Sequence, residues 1–88
     1  MIKNYLKALP IRQLSDIDTV KLEVSAGNIV VAKITSLANK SLEDTERAID
    51  ELCIFVNKIG GEIARLGDKR LVVTPPSVKI WRKEEEIQ

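Results

Sequence analysis

The side chains able to do chemistry here are few in kind. The chain has one cysteine, Cys53, no histidine, and a run of carboxylates at Glu43, Asp44, Glu46, Asp50 and Glu51. Paired carboxylates act as acid and base when an apolar pocket drives their pKa values apart, but these spacings distribute them around the outer side of a helix. A metal site would lack thiolate and imidazole ligands, and carboxylates spaced this way do not converge on one point. "IGGE", at 59–62, holds two glycines but closes a helix, the reverse of a phosphate-cradling loop that opens one. Cys53 falls on the apolar side of its helix and reads as packing. No catalytic residue, no metal and no cofactor are expected, and a binding role remains.

The helix that carries these acids also carries the candidate binding residues. At 100° per residue, Leu42, Ile49, Leu52, Cys53, Val56 and Ile59 gather on one stripe. Ile54 projects away from it among Glu43, Arg47, Asp50, Glu51 and Lys58, and Phe55 lies at the border. Two readings fit this pattern. In one, Arg47, Asp50, Glu51, Ile54 and Phe55 form a docking ridge for a partner. In the other, the face is merely solvated and held by a Glu43–Arg47 pair at i, i+4, worth about 0.2–0.5 kcal/mol.

The elements that position this helix follow from start and stop signals. "YLKAL" (5–9) reads as a strand stopped at Pro10. "SDID" opens a first helix with Ser15 as cap, Ile17, Val20 and Val24 face inward, and Gly27 closes it. "NIVVAKIT" (28–35) is a strand apolar on both faces, with Ile29 and Val31 on one side and Val30, Ala32 and Ile34 on the other. Ser41 caps the long helix, which ends at Ile59 before Gly60-Gly61. "EIARLG" and "RLVVT" form a hairpin about Gly67-Asp68. After Pro75-Pro76, "VKIW" (78–81) supplies a fifth strand.

The expected fold is therefore α/β in the order β-α-β-α-β-β-β: a five-stranded mixed sheet with two helices packed on one face, forming a single domain over 1–82, with a charged, frayed tail at 83–88. With 88 residues, 44% hydrophobic and 31% charged, the chain supplies one thin core. A lone cysteine and an N-terminus without a secretory pattern point to a cytoplasmic protein.

Two helices on one side leave the other side of an apolar sheet uncovered. A second copy covering that side makes the protein a homodimer, and Val31, Val73 and Trp81 are the candidate interface residues. The competing arrangement splits the helices between the two faces. Trp81 fits either the edge of the core or an interface.

"AIDEL" followed by "IGGEIARLGDKRLVVTPPSVKI" closely resembles the C-terminal core of the SepF cell-division family, in which a helix ends at Gly-Gly, a strand follows, and a "TPP" element introduces the last strand. Upstream, "LSDIDTV" and "GNIVVAKIT" resemble the opening of that core, so the likeness spans Tyr5 to Trp81. The resemblance implies a homodimeric adaptor that binds the C-terminal tail of the tubulin-like protein FtsZ and links it to the inner face of the membrane at the division site. Family members reach lipid through an amphipathic N-terminal helix and a linker. "MIKNYLKALP" carries neither, so membrane contact is expected only indirectly or through a segment absent here. The family's tail-binding helix corresponds to this one, with its charged positions at Arg47 and Asp50 and its phenylalanine replaced by Glu51. Where bacterial members place a glycine that lets helices approach and polymerise, this chain has Ile54, a pattern more like the archaeal branch.

An alternative of another class is a small dimeric nucleic-acid or chromatin-associated protein, which would need Lys3, Lys7, Lys33, Lys40, Lys69, Arg70 and Arg82 on one surface. A net charge of +1 with both signs interleaved argues against it, and no nucleic-acid partner is expected.

Overall fold

The side chain of Ser41 accepts the Asp44 amide at 3.0 Å and starts the longest helix, α3. Gly60, in the left-handed region at φ 81°, ends it. In the computed structural model, which describes residues 4–81, the full order is β1 (Leu6–Pro10), α1 (Ile17–Ser25), β2 (Ile29–Lys33), α2 (Thr35–Lys40), α3 (Leu42–Ile59), β3 (Glu62–Leu66) and β4 (Arg70–Thr74), with a short 3-10 turn, Leu14–Asp16, before α1.

These four strands make one mixed sheet in the order β1-β2-β4-β3. β1 runs parallel to β2, and β4 is antiparallel to both β2 and β3. The expected five strands and two helices are thus corrected to four and three among the described residues.

The fifth strand fails for a local reason. Pro75 and Pro76 have no amides to give a ladder, and the Val78 amide bonds back to the Pro75 carbonyl at 3.1 Å, closing a turn. Thr74 Oγ1 then donates to the Val78 carbonyl at 3.0 Å, and the Ile80 amide donates to Glu62 Oε1 at 2.9 Å. Side chains satisfy this segment where a neighbouring strand would have done so. Residues 75–81 form an irregular strap across the end of the sheet, and the expected tail at 83–88 lies outside the described residues.

The extra helix, α2, starts at Thr35, the last residue of the expected strand, and fills the stretch to Lys40 that had no expected element. The ladder stops at Lys33, paired with Arg70, and the Ile34 amide bonds the Lys69 carbonyl at 2.8 Å. Ile34 and Leu37 then turn into the core at 3% and 1% exposure, and burying them sets one and a half turns of helix. The start of α1 differs as well. Its entry is organised by the Asp16 carboxylate, which accepts the Arg12 and Gln13 amides at 2.9 and 3.2 Å, while Ser15 stays exposed.

All three helices contribute to one core. Val20 and Val24 from α1, Leu37 from α2, and Ala48, Leu52 and Val56 from α3 pack with Val30, Ala32, Leu71 and Val73 of the sheet. The strand register sends the alternate residues to the other side, where Ala8, Val31, Val72 and Ala64 line up as one row across four strands. None of these four belongs to the core, and no described helix lies over them. Leu6 and Leu66 flank the row, mostly exposed.

Candidate functional site

The outer face of α3 is set by the burial of its inner one. Thr45, Ala48, Leu52 and Val56 are its buried residues, so the stripe is centred one step away from the sequence reading. Leu42, expected inside, is mostly exposed, and Cys53 is half-buried. Opposite this stripe, Arg47 and Asp50 are exposed and Ile54 stands out at 58%. Glu51 and Phe55 sit half-buried on the flank facing α1, with Phe55 packed against the core.

A residue that the sequence reading missed organises that flank. Lys21 of α1 places its Nζ 3.8 Å from Glu51 Oε1 and 6.0 Å from the centroid of the Phe55 ring. Each contact is weak on its own, about 0–1 kcal/mol for an exposed ion pair and about 0.5–1 for an exposed cation over a ring. Together they compensate Glu51 and tie α1 to α3. Its signal in sequence was its place at the edge of the Ile17, Val20 and Val24 stripe, one position after Val20. Arg47 forms no ion pair among the described residues; the expected partner, Glu43, is not bonded to it. The ridge therefore presents Ile54 on the same face as Arg47 and Asp50, neither of which forms an ion pair among the described residues. Such a surface can bury an apolar side chain while charge fixes the partner's register.

The proposed interface residues land in different places. Val31 is half-buried on the open sheet face. Val73 is 0% exposed beneath the helices, so the β4 residue on the open face is its neighbour Val72. Trp81 is 85% exposed at the end of the strap; it does not close the core.

The basic residues are also split. Lys7 is held 3.0 Å from Glu23, Lys40 ends α2, and Lys33, Lys69 and Arg70 meet at one end of the sheet. Lys3 and Arg82 lie outside the described residues.

Two concavities lie away from the ridge, at the C-terminal end of α3. One, of about 370 Å³, is lined by Val24, Ser25, Gly27, Ile59 and the Pro75-Pro76-Ser77 strap. The other, of about 410 Å³, lies between Val56, Asn57, Gly61, Glu62, Ile63 and Ile80. The strap walls both, through Pro75, Pro76 and Ser77 in the first and through Ile80, from the expected fifth strand, in the second.

Fold and site together define a small α/β domain: a sheet covered by helices on one side, an apolar sheet face on the other, and a helical ridge whose exposed isoleucine shares its face with charges that form no ion pair among the described residues. The sequence profile described as "Cell division protein SepF" matches residues 7–80. The chain belongs to the SepF family. It is 32% identical over 69 residues to the cell division protein SepF of Haloferax volcanii, a match covering 78% of this chain and 58% of that protein. The chain thus spans little more than half the length of that relative. Among solved structures, a SepF-like protein from Archaeoglobus fulgidus superposes with a TM-score of 0.83 at 26% identity, covering 94% of this chain and 99% of the other. A SepF-like protein from Pyrococcus furiosus gives 0.83 at 26%, covering 92% and 98%. Cell division protein SepF from Methanobrevibacter smithii, solved in complex with FtsZ-CTD, gives 0.74 at 23%, covering 90% and 99%, a likeness of fold.

Proposed function

We propose that this chain is a homodimeric division adaptor whose α3 ridge binds the C-terminal tail of FtsZ at the cytoplasmic division site. The observation that carries the tail site is Ile54, held out at 58% exposure two helical turns from Arg47 on the same face, where Arg47 forms no ion pair among the described residues. An extended or helical tail segment would cover Ile54 and the rim of Phe55 while an acid of the tail neutralises Arg47. Family membership supports this reading, as does the structure of the Methanobrevibacter protein with FtsZ-CTD, which shares the fold. Among the described residues no helix is long and apolar enough to cross a membrane, so the link to the membrane runs through another segment or partner.

A peptide from the end of FtsZ is expected to bind with roughly micromolar affinity, about −8 kcal/mol. Arg47→Glu should abolish binding in calorimetry while leaving the thermal midpoint in place. Unchanged affinity in that variant removes the ridge as the site.

The dimer reading rests on the row Ala8, Val31, Val72 and Ala64, which no helix among the described residues covers. Burial of such a row against its copy would be favourable by about 25 cal/mol for each Å² removed from water. In sedimentation the wild type should run as a dimer, and Val31→Lys as a folded monomer. A wild type that stays monomeric at high concentration refutes this half of the proposal and leaves the tail site standing.

A further inference from the structure

Lys21 and Arg47 stand on different helices, and Glu51 connects them. Glu51 lies one turn after Arg47 on α3, the i, i+4 spacing at which opposite charges on a helix meet. Its carboxylate instead turns to α1, where the Lys21 Nζ is 3.8 Å from Oε1 and 6.0 Å from the centroid of the Phe55 ring. Arg47 is left without an ion pair among the described residues.

Three other acids stand within one turn of Arg47: Glu43, Asp44 and Asp50. Glu43 and Asp50 are exposed, where water already serves a carboxylate, and Asp44 is in the first turn of α3, where the helix dipole favours an anion. Glu51 is half-buried, so of the four it gains most from a counter-charge. Two cations are near enough to supply one, Lys21 across the helix pair and Arg47 along α3; Lys58, the other cation of α3, is two turns away. Asp18, one turn before Lys21 on α1, is exposed and joins no ion pair among the described residues.

Given the α3 ridge as the tail site, on which this inference rests, we propose that Lys21 is a positioning residue: it draws Glu51 off Arg47 and keeps the guanidinium open for an acid of the incoming tail. Without Lys21, Glu51 turns to Arg47, and the tail must displace a carboxylate already in place. Lys21 also adds a positive charge to a ridge on which Asp50 and Glu51 outnumber Arg47, which lowers the repulsion felt by an acidic segment.

Arg47 is read first without the tail, in the full chain. The nuclear magnetic resonance signal of its Nε–H should shift in Lys21→Gln and return to the wild-type position when Glu51→Gln is added. Calorimetry with an FtsZ tail peptide should then show binding weakened about two- to fivefold in Lys21→Gln, the scale of one exposed ion pair, and recovered in the double variant. A Lys21 that merely ties α1 to α3 gives the opposite result, no recovery when its partner is removed too. An Arg47 signal that Lys21→Gln leaves in place, or affinity that Arg47→Glu abolishes and Lys21→Gln does not change, overturns the role of Lys21 while the ridge stands. Affinity that Arg47→Glu leaves unchanged removes the ridge itself, whatever the Arg47 signal does.

Discussion

Leu71 and Val72 are neighbours on β4 and live in opposite surroundings. Leu71 is 1% exposed beneath the helices, while Val72 sits half-buried in the row that no described helix covers. The contrast extends across the sheet: one face is completed by the chain itself, and the other is apolar without being complete. The chemistry of the residues is nearly the same on both sides, so the difference lies in which contacts the connections supply. A sheet of this kind carries its stability on one face and leaves the other available for assembly.

The largest effect that sharpens this comparison is on the closed face. Leu71→Ala should cost about 2–5 kcal/mol in chemical denaturation, at any protein concentration. Val72→Ala should cost well under that in the isolated chain, about 1 kcal/mol or less, with a loss that grows with protein concentration if copies cover the row. Equal, concentration-independent losses at both positions would erase the distinction between the faces.

The next effect tests the strap end of the sheet. A Cβ at Gly61 would collide with the Thr74 carbonyl, and that carbonyl belongs to backbone, which cannot swing aside as a side chain would. Gly61→Ala should therefore cost about 1–3 kcal/mol, the usual range for forced overpacking, measured as a lowered denaturation midpoint. A midpoint at the wild-type value would show that the end of β4 yields freely.

The smallest effect lies at the entry to β1. Lys7 and the Asn28 side chain, at 3.0 and 2.9 Å, hold the Glu23 carboxyl below its ordinary value near 4.5, hydrogen bonding to Lys7 being the larger cause. A carboxyl whose folded-state pKa is depressed contributes stability that is fully present above the unfolded value and lost as pH falls through the folded one. Glu23→Gln should therefore flatten the decline in stability below about pH 4.5 and barely move it at neutral pH. A denaturation series in acid checks this, and an unchanged decline would assign it to other carboxylates.

Local signals were legible where a single side chain or glycine does the work. The Ser41 cap, the Gly60 stop, the left-handed Gly27 and the hairpin through Gly67 could all be read from residue type. The family, too, was legible in "IGGEIARLGDKRLVVTPP", because that punctuation is dense. Less visible was the competition between elements. "VKIW" alternates like a strand, yet the Glu62 carboxylate and the Thr74 hydroxyl take up its polar groups first. "TSLANK" carried no expected element past Thr35, and burial of Leu37 made it a helix. Of the ridge, Arg47, Asp50 and Ile54 could be placed outward from periodicity alone, but Lys21 enters from another helix, and no spacing within α3 announces it.

What the amino-acid order determined by itself is where α3 starts and stops and where the hairpin turns, since a cap and left-handed glycines act over a few residues. Only the tertiary structure decided which of two similar apolar rows the helices would cover. It also decided that Val73 lies inside while Val72 lies outside, and that Lys21 and Glu51 would meet. Those outcomes depend on the register between strands distant in sequence and on where three helices come to rest, and a chain settles both only when the whole sheet closes on one core.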